Sequence, residues 1–185
     1  MEIYFSSDLH LGHRSVIGFQ NRPFENVEEM DNGIIHNFNS VVHRDDILYI
    51  LGDLSYRIPE SQANELIKRI NGRKILIRGN HDGHYDKNLF EEIYDYKEFK
   101  HEKIKYVLMH YPLMEWNGSR HGGSIHLHGH IHSNGGYNEE NRMNGILRYD
   151  VGVDANNYYP VSLRYIRSYF ADSARLHESC DITIK

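Results

Sequence analysis

Five short clusters of polar residues each follow an apolar run. Asp8 and His10 stand in Asp-Leu-His, Asp53 follows Gly52, and Asn80, His81 and Asp82 complete Gly-Asn-His-Asp from Gly79. His110 closes Tyr106-Val107-Leu108-Met109, and His130 and His132 lie in Gly-His-Ile-His from Gly129. Carboxylates, imidazoles and one amide form a mixed nitrogen and oxygen donor set. Such a set suits Mn, Fe, Zn or Co better than Ca or an oxygen-bound Mg. Seven or eight donors exceed the need of one ion and suffice for two ions sharing a carboxylate. Two ions so placed clamp the attacking and leaving oxygens of an in-line displacement at phosphorus. Taken singly, each residue also has a structural explanation: Asp8 a turn or cap, Asn80 with Gly79 a turn, His110 a core histidine. Alternation along Ile125 to His130 puts residues 126, 128 and 130 on one face. His126 is therefore read as a sheet residue, and His128 as either that or a partner orienting a ligand.

The elements that must position these residues follow from hydrophobic pattern. Glu2 to Ser6, Ile47 to Leu51 and Lys74 to Arg78 read as strands. The stripe Val27, Met30, Ile34, Phe38, Val41, Val42 predicts a helix, weakened at Gly33, and Pro59 introduces a second with Ala63, Leu66, Ile67 and Ile70 inward. This β-α-β-α-β order predicts a mostly parallel sheet, whose strands bring their C-terminal ends to the edge where open α/β sheets bind ligands. Further strands are expected near Tyr94 to Lys100, Ile104 to His110, Ser124 to His128 and Ile146 to Val151. With turn residues between them, an antiparallel, hairpin-rich sheet is the simplest reading. Ser162 is the expected N-cap of a last helix with Leu163, Ile166 and Phe170 inward.

Composition bounds the function. The 185 residues suit one domain over 1–185, with 172–185 a tail whose structure the pattern leaves undefined. No apolar run approaches the ~18 residues of a membrane span, and Met1-Glu2-Ile3-Tyr4-Phe5 lacks the basic start of a secretory signal. One cysteine fits a reducing, cytoplasmic setting. The net charge of -5, without basic runs, argues against non-specific nucleic-acid binding. The fourteen histidines are dispersed, which excludes a tag and directs attention to metal or proton chemistry.

In this order and spacing, Asp8-x-His10, Gly52-Asp53, Gly79-Asn80-His81-Asp82, His110 and Gly129-His130-x-His132 resemble the motif set of the calcineurin-like metallophosphoesterase superfamily. Ser7 to His13, Arg22-Pro23-Phe24, Glu29-Met30-Asp31 and Val151-Gly152-Val153-Asp154 resemble a branch of short, uncharacterised bacterial members. The resemblance implies an α/β fold, a four-layer αββα sandwich of two mixed sheets. It implies two divalent transition-metal ions, manganese first, with Fe, Zn or Co as the other candidates. Asp8, His10, Asp53 and His132 would hold one ion; Asp53, Asn80, His110 and His130 the other, with Asp53 bridging. A hydroxide between the ions would attack a phosphomono- or phosphodiester, His81 would protonate the leaving oxygen, and Asp82 would orient His81. His13 and Arg22 are further candidates for substrate phosphate, each with a plain alternative as an exposed loop residue. The absence of a cap-sized insertion points to small phosphoesters or nucleotide-like substrates, with long nucleic acid disfavoured. The rival readings are a nuclease on the same fold and a non-catalytic scaffold like the retromer subunit that resembles these enzymes. Oligomeric state is not legible.

Overall fold

The structure is a computed structural model that describes residues 1–172. Its elements run β1 (Ile3–Ser6), α1 (Arg14–Phe19), α2 (Val27–Val41), β2 (Ile47–Ile50), α3 (Glu60–Lys68), β3 (Arg73–Ile77), β4 (Glu92–Tyr94), β5 (Tyr96–His101), β6 (Ile104–Met109), β7 (Ser124–His128), α4 (Gly135–Met143), β8 (Arg148–Asp150), β9 (Val161–Ser162) and α5 (Leu163–Tyr169). Apart from its first residue, the expected tail of 172–185 lies outside the described residues.

Local chemistry sets the helix ends. The Asn26 side chain accepts from the Glu29 N–H at 2.9 Å, and Glu28 and Glu29 in the first turn of α2 complement the helix dipole. The helix continues through Gly33, whose missing side chain leaves room for the Phe24 ring. Ser162 caps α5 as expected, accepting from Tyr165 N–H, and Leu163 and Ile166 are buried.

Two sheets pack face to face. The first has the order β4-β3-β2-β1-β9, parallel except for β9; the second has the order β5-β6-β7-β8. Period-two alternation divides the first sheet cleanly. Phe5, Tyr49, Leu51, Ile75 and Ile77 face Tyr106, Leu108, Ile125 and Leu127 of the second sheet. Leu48, Ile50 and Leu76 face the other way, onto Met30, Ile34 and Phe38 of α2 and Ile67 of α3. On the far side, α4 lies against β8, where Asn138 exchanges hydrogen bonds with the Asp150 backbone. The result is helix, sheet, sheet, helix.

The second sheet corrects the antiparallel expectation. Only β5 and β6 form a hairpin, turned by Glu102 and Lys103 at φ 46° and 70°. The pairs β6/β7 and β7/β8 are parallel. Parallel neighbours need a long crossover, and residues 110–123 and 129–147 supply one each. The difference matters for chemistry, because parallel β6 and β7 release His110 and His130 at one edge. An antiparallel pair would have put them at opposite ends.

Candidate metal centre

Backbone pairing continues past the strand ends and draws the polar loops together. Asp8 N–H donates to Gly52 C=O and His10 N–H to Asp53 C=O, both at 3.0 Å, while Gly129 N–H donates to His110 C=O at 2.9 Å. Asp8, His10, Asp53, His130 and His132 all have positive φ, between 45° and 72°. For L-residues this region costs about 1–2 kcal/mol each, and such strain clusters where side chains are aimed for function. Two glycines permit the close approach. A Cβ on Gly129 would collide with Ser7 Oγ and Asp8 Oδ2, and one on Gly79 with Asp53 Oδ1.

Two donor groups result. Asp8, His10 and His132 present ligand atoms within 4.8 Å of one another, and so do Asp53, His110 and His130. Asp53 faces both: Oδ2 lies 3.7 Å from His10 Nε2 and 3.6 Å from His110 Nε2, while Oδ1 accepts from His81 N–H at 2.8 Å.

The donor atoms are arranged for cations. His110 Nδ1 donates to Leu51 C=O at 2.7 Å, so Nε2 carries a lone pair, yet it faces Asn80 Oδ1 at 3.0 Å. His132 Nδ1 donates to Asp154 Oδ2 at 2.7 Å, so its Nε2 is also bare, 3.1 Å from His10 Nε2 and 3.8 Å from Asp8 Oδ1. Asp8 is fully buried, and its Oδ1 has no hydrogen-bond partner. Acceptors facing acceptors in a buried site are costly unless a cation lies between them. These side chains therefore fit divalent metal ions.

Burial also moves the protonation equilibria. It pushes the Asp8 carboxyl up to about 8, against the favourable influence of His132. It pushes His10 down to about 2, with His132 and Arg22 adding to the effect, and lowers His130. Burial opposes charge on His132 too, but the hydrogen bond to Asp154 and the Asp8 and Asp154 charges outweigh it and raise its pKa. Asp154 shows the mirror case: burial raises its pKa, yet bonds from His132 and Arg22 leave it lowered.

The remaining sequence candidates separate. The His81 ring is exposed beside the centre, 5.8 Å from the His10 ring and edge-on to Tyr56 at 4.7 Å. His13 packs 4.2 Å from Tyr56, at the rim, with its Nδ1 unpartnered. Asp82 does not orient His81: its carboxylate accepts from the N–H groups of Asp53, Leu54 and Gly79 and from Tyr85 O–H. Arg22 is not the exposed loop residue of the alternative reading, and its guanidinium is already fully engaged. It is 4% exposed, and its five N–H donors are spent on Asp154, the carbonyls of Leu9 and Asp8, and Met30 sulfur. His126 and His128 point outward from the second sheet, to Val107 C=O and Leu113 N–H and to Gly129 C=O and Tyr137 O–H respectively. Sequence reasoning missed Asp154 and Asp150. Asp150 accepts from Ser133 Oγ at 2.5 Å and from Gly152 N–H at 2.8 Å, fixing the residue after His132. The Val-Gly-Val-Asp stretch was the available signal for Asp154. A groove of about 550 Å³, lined in part by Tyr149, Tyr159, Tyr165 and Tyr169, shares no residue with either donor group.

The chain is similar to several known proteins. A family model described as calcineurin-like phosphoesterase matches residues 1–172. An uncharacterized protein of Methanocaldococcus jannaschii is 36% identical over 166 residues, 89% of each chain. The gene 66 protein of Mycobacterium phage L5 is 31% identical over 163 residues, covering 70% of this chain and 77% of its own. A crystal structure of a protein of unknown function from Aquifex aeolicus superposes with a TM-score of 0.71 at 29% identity, covering 90% of this chain and 98% of that one.

Proposed function

The chain belongs to the calcineurin-like phosphoesterase family, and from that premise we propose that it hydrolyses small phosphoesters at a dinuclear metal centre. The observation that carries the proposal is the pair of facing donor groups with Asp53 Oδ2 between them. Asp8, His10 and His132 would hold one ion, Asn80, His110 and His130 the other, and Asp53 would serve both. Nitrogen and oxygen donors together suit manganese, with iron, zinc or cobalt as alternatives. Two such ions supply positive charge for the phosphoryl oxygens and bring the pKa of water close to neutrality, making a nucleophile available.

The protein's own groups do the rest. His81 is exposed at the edge of the centre, and the bond from its backbone N–H to Asp53 Oδ1 fixes its place. There its ring N–H donates a proton to the departing oxygen. His13, with a free ring nitrogen at the rim, contacts the phosphoryl group or its substituent. Beside His81 lies a cavity of about 200 Å³, lined also by Ser55, Arg57, Glu60, His84 and Tyr85. That volume is below the usual range for drug-sized ligands, which supports a small leaving group.

Titration of chelated protein with manganese or zinc should saturate near two ions per chain, and hydrolysis of nitrophenyl phosphate mono- and diesters should depend on them. Saturation at one ion, or activity surviving exhaustive chelation, would sink the proposal. His81→Ala should retain both ions yet lose roughly 10²- to 10⁴-fold in turnover on alkyl esters. Nitrophenyl esters, whose leaving oxygen barely needs a proton, should lose less. Equal losses would remove His81 from the acid role.

A further inference from the structure

Arg22 and Asp154 form a buried unit that touches both chain segments of the Asp8/His10/His132 group. Asp154 Oδ1 accepts from Arg22 Nε at 2.8 Å, and Oδ2 accepts from an Arg22 terminal nitrogen at 2.8 Å and from His132 Nδ1 at 2.7 Å. The same guanidinium donates to Asp8 C=O at 2.8 Å and Leu9 C=O at 2.9 Å. Those carbonyls lie where Asp8 and His10 adopt φ of 58° and 51°. The turned backbone takes them out of the sheet ladder, and Arg22 supplies the donors they need. One side chain thus fixes the Asp8–His10 turn and, through Asp154, the imidazole of His132.

We propose that Arg22 and Asp154 are positioning residues that lock His132 as its Nδ1–H tautomer and hold its Nε2 lone pair in register with Asp8 and His10. Only one of the two metal groups then depends on this clamp. The inference rests on the metal-binding reading above. A bidentate carboxylate shared by a guanidinium and an imidazole can only accept, so the proton of His132 is confined to Nδ1 and Nε2 is left to bind.

A purely structural ion pair makes a different prediction. Asparagine has nearly the shape of aspartate, so a structural role would make Asp154→Asn milder than Asp154→Ala in every respect. Arg22 donates to both Asp154 oxygens, so either orientation of the amide in Asp154→Asn sets its N–H₂ against an Arg22 donor. With the oxygen at the site facing His132 it accepts from Nδ1, and with the N–H₂ there it donates to Nδ1 and moves the imidazole proton to Nε2, the ligating atom. Asparagine and alanine alike lose the acceptor-only partner, so under the clamp both release the Nε2–H tautomer and weaken the same ion, whatever their stability.

The test combines ¹⁵N NMR of histidine-labelled protein with calorimetric manganese and zinc titration of wild type, Asp154→Asn and Asp154→Ala. At a pH above the raised pKa of its imidazolium, wild-type His132 should show the Nδ1–H tautomer. Asp154→Asn should show Nε2–H appearing beside Nδ1–H and bind one ion with wild-type affinity and the other about 10- to 100-fold more weakly. Asp154→Ala should melt lower than Asp154→Asn yet bind that ion no worse. An Nε2–H tautomer in the wild type, or two wild-type affinities in Asp154→Asn, would overturn the clamp. Failure of the wild type to bind any ion would overturn the metal reading instead, while its tautomer still decides the clamp.

Discussion

The two donor groups sit side by side but are held by different kinds of structure. The group of Asp53, His110 and His130 hangs on backbone: His110 on Leu51 C=O, and the Asp53 turn on three N–H groups gathered by Asp82. The group of Asp8, His10 and His132 has backbone bonds too, Asp8 N–H to Gly52 C=O and His10 N–H to Asp53 C=O, but its His132 ring is held by side chains, Asp154 with Arg22 behind it. A backbone frame is inseparable from the fold, because the bonds that aim the ligands also close the loops. A side-chain clamp can fail alone. Point changes should therefore act on stability in one group and on binding in the other.

The largest effect should come where the difference vanishes. Asp53 Oδ2 faces both groups, so Asp53→Asn should weaken both ions, with turnover down at least about 10³-fold as several kcal/mol of charge stabilisation are lost. Calorimetry and steady-state rates check this; a variant that loses only one ion would show that the carboxylate serves one group. Next comes the backbone frame. Asp82→Ala strips the acceptor from three N–H groups and should cost about 2–4 kcal/mol, read as a lower urea midpoint. Wild-type stability in this variant would break the distinction between frame and clamp.

How much was legible follows the same division. Asp8, Asp53, Asn80, His110 and His130 could be found because each closely follows an apolar strand, and parallel topology sends strand ends to one edge. The second sheet was misread since residues 110–123, with only a short turn at Ser119–His121, look like a hairpin loop rather than a crossover. The pairing of Asp82 with His81 came from the family resemblance, whereas here a carboxylate at a tight turn meets the unpaired N–H groups of neighbouring loops. Arg22 precedes proline in a polar stretch, the pattern of an exposed turn. Its burial depends on Asp154, 132 residues later, and no spacing rule connects the two.

The smallest predicted effect probes the side-chain support from below. Asp31 lies on the buried face of α2, and its two oxygens accept from Gly12 N–H at 3.0 and 3.1 Å. Burial pushes its pKa up to about 6, although the Gly12 bond opposes this. Between about pH 4 and 6 the folded protein therefore holds a proton that the unfolded chain has released. Stability from this group is greatest at or below about pH 4, declines as pH rises through that window, and is level above it, a change on the order of 2–3 kcal/mol. Asp31→Asn keeps an acceptor for Gly12 without the charge. Relative to wild type it should be near neutral at about pH 4 and stabilising by about 1–3 kcal/mol at about pH 8, with metal stoichiometry unchanged. Parallel urea titrations at the two pH values measure the difference directly. A variant less stable than wild type at the higher pH would mean that the charged carboxylate is itself anchored by Gly12, which would give this group the same kind of backbone support as its neighbour.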